Sequence, residues 1–134
     1  MRLTRDEHDV LYRAVVLDLS GLDDVHKSLE QGNAADAQEE RQHFENDWAL
    51  LDAIGWDAEN PRLDAEFDGR AMRAARSLEK QATGCLETAN LRESYKAVDA
   101  SREDFEDVLR ERRGWADENL DLLAVCRRIL AAHN

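Results

Sequence analysis

The chain has 134 residues, of which 30 are acidic and 18 are basic, so its formal net charge at pH 7 is −12. This length suits one hydrophobic core and is too short for two, so we expect residues 1–134 to form a single domain. One proline and six glycines cannot supply the frequent turns of a β-sandwich or barrel, and the composition therefore favours long helices. A nucleic-acid-binding surface needs clustered basic residues, and the acidic excess argues against that class.

The apolar runs of the sequence, such as residues 14–17, are only a few residues long. A membrane span needs roughly 18 consecutive apolar residues, so we expect no contact with a membrane. The amino-terminal residues include no apolar stretch of the kind found in secretory signals. The sequence therefore predicts a cytoplasmic protein, in which Cys85 and Cys126 are buried thiols rather than partners in a disulfide.

The first predicted helix begins at a capping box. The Thr4 hydroxyl can accept a hydrogen bond from the Glu7 amide, while the Glu7 carboxylate reaches back to the Thr4 amide. Gly32 can end this helix after Gln31, and Asn33 can begin the second helix. A connection this short makes the first two helices antiparallel neighbours.

The second helix is predicted to end at Ile54, because Gly55 can adopt the left-handed conformation of a Schellman cap. In that cap, Trp56 would contact Leu51. The residue before Pro61 is restricted to extended backbone. We therefore expect an irregular extended segment between the second and third helices.

The third helix is predicted to begin near Gly69 and to end near Val98. Ser101 and Asp104 have the spacing of a new helix amino terminus, but no glycine or proline lies there to enforce a break. One continuous helix through Asp99, covering residues 91–130, is the alternative to two helices.

Each of the four predicted helices has one apolar face at helical spacing. On the second helix, Trp48 belongs to this predicted face, and on the fourth helix so does Trp115. Helices with a single apolar face bury that face against one another. The predicted fold class is therefore all-α, an antiparallel up-down-up-down four-helix bundle.

One acidic side chain interrupts the apolar face of the first helix. Asp18 needs a partner or a raised pKa if it is buried there. Reflecting the first helix onto the second about the turn at residues 32–33 places Asp18 beside Asp47. The candidate partners of Asp18 are Arg73 or Arg76 of the third helix and His43 of the second. An ion pair that only fixes the register of the helices is the competing interpretation.

Glu40 and His43 have the E-x-x-H spacing that presents a carboxylate and an imidazole on one helix face in di-iron bundles. The sequence lacks the second E-x-x-H motif and the inward glutamates of a dinuclear site, so a mononuclear site is the metal hypothesis. The candidate ligands for a divalent transition metal are Asp18, Glu40, His43, Asp47 and His26. His8 and His133 are close to the chain termini, and we expect both to be solvated.

The sequence contains no glycine-rich phosphate loop, no Cys-x-x-Cys pair and no Gly-x-Ser-x-Gly elbow. We therefore expect a bundle that has no cofactor and no catalysis of its own and acts through protein–protein contact, with another protein or a second copy of itself as partner. The predicted contact surfaces are the acidic second helix and an aromatic end formed by Trp56, Leu63 and Phe67, for which a cap over the bundle is the alternative. The competing function is a metal or small ligand bound inside the bundle.

Overall fold

The computed structural model describes residues 1–32, 34–94 and 105–133, with side chains for residues 1–21, 31–32, 35, 37–87 and 114–133. Its four helices are α1 (Arg5–Glu30), α2 (Ala34–Ile54), α3 (Gly69–Ser94) and α4 (Phe105–Ala132). Consecutive helices pack against each other, and α1 also packs against α4. The predicted all-α four-helix bundle is confirmed, whereas the up-down-up-down order stays a prediction. None of the described helices has the length and apolar character needed to cross a bilayer.

The capping box predicted at the start of α1 is present. The Thr4 amide donates to Glu7 Oε1 at 2.9 Å, and the Glu7 amide donates to the Thr4 hydroxyl at 3.1 Å. The Glu7 carboxylate also accepts a hydrogen bond from Arg128 Nε at 2.6 Å. One carboxylate therefore caps α1 and fastens it to α4.

The end of α2 at Ile54 is also as predicted, with one difference in the type of cap. Gly55 has a φ of +93°, and its amide donates to the Leu51 carbonyl at 2.7 Å. This is the hydrogen bond of the αL motif rather than of the Schellman motif. Trp56 is 54% exposed, and its indole N–H donates to Asp52 Oδ1 at 2.6 Å.

Residues 55–68 form the expected irregular segment, which crosses the amino-terminal residues. The Leu3 amide donates to the Leu63 carbonyl, and the Ala65 amide donates to the Met1 carbonyl, each at 2.8 Å. Asp68 is the N-cap of α3, because its carboxylate accepts a hydrogen bond from the Ala71 amide at 2.8 Å. These bonds hold the segment against the end of the bundle.

The three residues predicted to form an aromatic contact surface do not share one exposed surface. Trp56 is exposed and Leu63 is half-buried, but Phe67 is only 8% exposed and belongs to the hydrophobic core. The hydrogen bonds to residues 1–3 hold the segment against the bundle, where the Phe67 ring meets the His133 ring edge-on at 5.6 Å between centroids. Phe67 is therefore not an accessible contact residue, and its burial fits the alternative prediction of a cap over the bundle.

Small side chains line the buried face of α3, where Ala71, Ala74, Ala75 and Ala82 are buried with Leu78. The helix packs against both α2 and α4. Because α3 and α4 lie side by side, a single continuous helix over residues 91–130 is ruled out. The predicted boundary at residues 98–104 lies outside the described residues.

Trp48 is 46% exposed, so its predicted place in the core is wrong. The buried positions of α2 are Phe44, Asp47, Leu50, Leu51 and Ile54, together with Ala37 and Ala53. The inward face of α2 is therefore centred on Asp47. Trp48, the next residue, is turned toward the edge of that face, where its ring stacks on Phe44 at 5.8 Å between centroids.

The left-handed backbone conformation at Gly55 predicts that a side chain at this position destabilises the protein. Gly55→Ala is expected to lower the free energy of unfolding by about 1 to 2 kcal/mol, because an alanine at this φ is strained. The new Cβ would also meet the Arg62 amide at 3.3 Å. Gly21→Ala is the matched control: Gly21 lies inside α1 with nothing within 4 Å of a Cβ, so this change should stabilise the protein by up to about 1 kcal/mol. Urea unfolding of both variants measures the difference, and equal effects would contradict it.

Candidate metal centre

Three polar side chains from two helices converge in the interface between α1 and α2. His43 Nε2 is 2.8 Å from Asp18 Oδ2 and 3.9 Å from Asp47 Oδ2. One ligand atom from each of the three residues lies within 4.8 Å of the others. His43 and Asp47 are four residues apart on α2, so both point toward α1 from the same helix face.

A second polar contact between α1 and α2 fixes their alignment. The His8 ring donates from Nε2 to the Ile54 carbonyl at 2.7 Å, while Asp18, ten residues further along α1, contacts His43, earlier in α2. The two helices therefore run in opposite directions past each other. The reflection about residues 32–33, which placed Asp18 beside Asp47, is consistent with this alignment.

His8 is fully buried, so the prediction that it is solvated is wrong. The last carbonyl groups of a helix have no hydrogen-bond donor within the helix. The His8 ring donates a hydrogen bond to one of them, the Ile54 carbonyl. Its other ring nitrogen, Nδ1, has no hydrogen-bond partner in the described structure and lies 3.8 Å from Asp9 Oδ1.

The two aspartates have opposite tendencies to ionise. Burial raises the pKa of Asp47 to about 9, and the adjacent Asp18 carboxylate adds to this effect. Burial opposes ionisation of Asp18 as well, but hydrogen bonds from His43, Asp47 and Gln81 outweigh it and lower the pKa of Asp18 to about 2. The hydrogen bond to Asp18 raises the pKa of His43 despite partial burial.

At neutral pH these pKa values assign a negative charge to Asp18 and a proton to Asp47. Asp47 is fully buried, and within the described structure neither of its oxygens accepts a hydrogen bond. An ionised Asp47 would therefore be a buried anion facing a second anion, which is strongly unfavourable. A proton or a metal cation between the two carboxyl groups removes this repulsion.

The remaining sequence candidates lie outside this cluster. Arg73 and Arg76 are exposed, and neither forms an ion pair with Asp18 among the described side chains. Glu40 is half-buried and contributes to the raised pKa of His43 through its charge, but it is not within the group of three ligand atoms. The His26 side chain lies outside the described residues.

Gln81 of α3 contacts the cluster, and the sequence analysis missed it. Its side-chain amide donates to Asp18 Oδ1 at 3.2 Å, so each oxygen of Asp18 accepts one hydrogen bond from a different helix. No pattern in the sequence defines the register of α3 against α1, because residues 55–68 separate α3 from the first two helices. A neutral amide three residues after Leu78, beside the predicted apolar face of α3, was the one available signal.

The raised pKa of Asp47 predicts how stability depends on pH. Its ordinary value is 3.8 and its value in the folded protein is about 9, so its contribution to stability is fully present below pH 3.8 and is lost as the pH rises toward 9. Asp47→Asn keeps a donor for Asp18 and cannot ionise. In chelator-treated, metal-free samples, we expect this variant to be more stable than the unmodified protein at pH 8, by about 1 to 3 kcal/mol.

The stability difference should shrink as the pH falls toward 4, and denaturant unfolding at several pH values measures it. Glu39→Gln, at an exposed position of the same helix, is the control and should shift stability by no more than about 0.5 kcal/mol. A constant difference between pH 4 and pH 8 would show that Asp47 is ionised in the folded protein.

Similarity to other proteins assigns no function to this cluster. No protein-family model, curated protein or solved structure matches the chain. The chemistry of the described residues is therefore the basis on which a function can be proposed.

Proposed function

We propose that the protein binds one divalent transition-metal ion between α1 and α2, with Asp18, His43 and Asp47 as ligands. The observation that carries this proposal is the environment of Asp47. Its carboxyl group is fully buried, neither of its oxygens accepts a hydrogen bond from the described residues, and it lies beside a second carboxylate and an imidazole. An ionised carboxylate that accepts no hydrogen bond is costly to bury, and a shared cation would stabilise the ionised form of both acids.

The donor set indicates the kind of metal. Two carboxylate oxygens and one imidazole nitrogen suit Zn²⁺, Fe²⁺ or Mn²⁺, whereas Ca²⁺ and Mg²⁺ prefer oxygen ligands alone. Three protein ligands leave a coordination position for water or another small ligand. Glu40 is one helical turn before His43, and its Oε2 is buried without a partner in the described structure. It is the candidate for a fourth ligand.

The surroundings of the cluster support such a site. Gln81 donates to the Asp18 oxygen that faces away from His43, which is how neighbouring residues orient a metal-binding carboxylate. The His43 side chain is 28% exposed, so an ion can reach the ligands from solvent. Binding requires His43 and Asp47 to release their protons, and metal affinity should therefore increase with pH.

The test is a titration of the chelator-treated protein with Zn²⁺ and Co²⁺. We expect one ion per chain by calorimetry and elemental analysis, together with a visible Co²⁺ spectrum. Zinc at 100 times its dissociation constant should stabilise the fold by about 2.7 kcal/mol. His43→Ala should abolish both effects, whereas His133→Ala, at an exposed residue that follows α4, should preserve them.

Two results would contradict the metal function. One is a melting temperature that zinc does not change in the unmodified protein. The other is stoichiometric binding that persists in His43→Ala. If His43→Ala fails to fold, His43→Gln keeps the size and polarity of the side chain and provides the same comparison.

A second candidate function is contact with another protein or with a second copy of this chain. Large apolar side chains are exposed on three of the described helices and after α2, and an exposed aromatic side chain is a typical interface anchor. They are Val16, Leu17, Trp48, Trp56 and Leu120. Trp48 stacks on Phe44 at the edge of the acidic helix α2, which makes it the strongest single candidate for an interface anchor.

Light scattering over a range of protein concentrations tests self-association. We expect a dimer that Trp48→Gln dissociates, because the variant removes an aromatic anchor without disturbing a buried position. Trp56→Gln, at a tryptophan that is exposed to a similar extent, tests whether the contact residue after α2 contributes as well. A monomer at the highest soluble concentration would contradict the proposal for a second copy of this chain.

A further inference from the structure

An open cleft lies between α1, α3 and α4, on the side of Asp18 away from α2. Arg128 of α4 holds α1 at Glu7, and the cleft lies further along α1, between residues 10 and 21. Its volume is about 710 Å³, which is within the usual range of small-molecule sites. Leu78, Ala82 and Cys85 contribute the α3 side of the cleft.

The walls of the cleft are mostly apolar. Val10, Ala14 and Leu17 line it from α1, and Trp115 and Leu122 line it from α4. Leu17 is 75% exposed, which is the highest exposure among the large hydrophobic side chains described. An apolar ligand body in the cleft would cover Leu17 and remove its surface from water.

The charged groups among the described lining residues of the cleft are mostly acidic. Asp18, Glu118 and Asp121 line it, and Arg13 is the only basic residue among the described lining residues. Arg13 Nε donates to the Asp9 carbonyl of its own helix at 3.4 Å. The acidic side chains therefore outnumber the guanidinium group by three to one among the described lining residues.

We propose that this cleft binds a small amphipathic organic cation, with its apolar part against Leu17 and Leu122 and its cationic group beside Asp18. Opposite charge favours a cation over an anion of the same shape. Trp115 lines the cleft from α4 and adds apolar area to its wall. A basic helix of a partner protein is the other class that would suit these walls, but the cleft volume is that of a small molecule.

This site is distinct from the proposed metal centre, although Asp18 belongs to both. Asp18 Oδ2 faces His43, while Gln81, which also lines the cleft, contacts Oδ1. Cation binding in the cleft needs neither a metal nor the Asp47 carboxyl group. A negative result for metal binding therefore does not decide whether the cleft binds a cation, and a negative result for the cleft does not decide whether the metal binds.

Decyltrimethylammonium, used below its critical micelle concentration, is a suitable probe, with decyl sulfate as the anion of the same chain length. Trp48→Phe with Trp56→Phe leaves Trp115 as the only one of the three tryptophans, so its fluorescence reports on the cleft. We expect saturable binding of one cation per chain. The anion should bind at least about tenfold more weakly, which corresponds to about 1.4 kcal/mol.

A pair of adjacent substitutions separates the cleft from the general negative charge of the protein. Leu17→Lys places a positive charge in the cleft and should weaken cation binding about tenfold or more. Val16→Lys makes the same change of charge one residue earlier, at an exposed position outside the cleft lining, and should leave the affinity nearly unchanged. Both positions are exposed, so neither change should prevent folding.

Three outcomes would overturn the proposal: no saturable cation signal, an anion that binds as well as the cation, or equal effects of Leu17→Lys and Val16→Lys. Weakening of the cation probe by Leu17→Lys alone supports the site. A synthetic basic amphipathic helix that binds while the small cation does not would assign the cleft to a protein partner and overturn the small-molecule proposal.

Discussion

Two carboxyl groups occupy one buried space between α1 and α2, and they cannot both be ionised there unless a cation lies between them. Asp18 keeps its charge because His43 and Gln81 donate hydrogen bonds to its two oxygens. Asp47 is fully buried and receives no hydrogen bond from the described residues, so burial and the charge of Asp18 keep it protonated. The arrangement needs a proton or a metal ion, and this requirement connects the packing of α1 on α2 to the proposed metal binding.

A purely structural ion pair would need fewer groups than are present. His43 and Asp18 alone would fix the register of α1 and α2 and would satisfy each other's charge. Asp47 adds a second acid at a position where an apolar side chain would pack without a cost. The third group therefore favours the proposed binding site over a register device, and the partly exposed His43 side chain would give an ion access to it.

Features set by local sequence could be predicted, because the residues that form them are close together in the chain. The capping box at Thr4 and the left-handed Gly55 at the end of α2 are of this kind. The turn predicted at residues 32–33 also placed Asp18 beside Asp47 by simple counting. Predictions failed where the outcome depends on several segments. His8 is buried because the end of α2 lies against it, Phe67 is buried because residues 1–3 hold its segment, and Gln81 reaches Asp18 through a register that no short turn determines.

Trp48 shows why hydrophobicity alone misplaced the inward face of α2. The apolar pattern fits a face that includes Trp48, and the structure rotates the helix so that Asp47 is buried and Trp48 is half exposed. A bundle stabilised by hydrophobic burial alone would favour the opposite orientation. We infer that the contacts of the Asp18–His43–Asp47 cluster contribute to this orientation of α2.

Carbon-13 NMR of the aspartate carboxyl groups at neutral pH, before and after one equivalent of Zn²⁺, tests the central claim most directly. We expect Asp47 to give the signal of a protonated acid in the metal-free protein and that of a metal-bound carboxylate after zinc is added, while the exposed aspartates do not change. An ionised Asp47 in the metal-free protein, or a carboxyl signal that zinc leaves unchanged, would contradict the account.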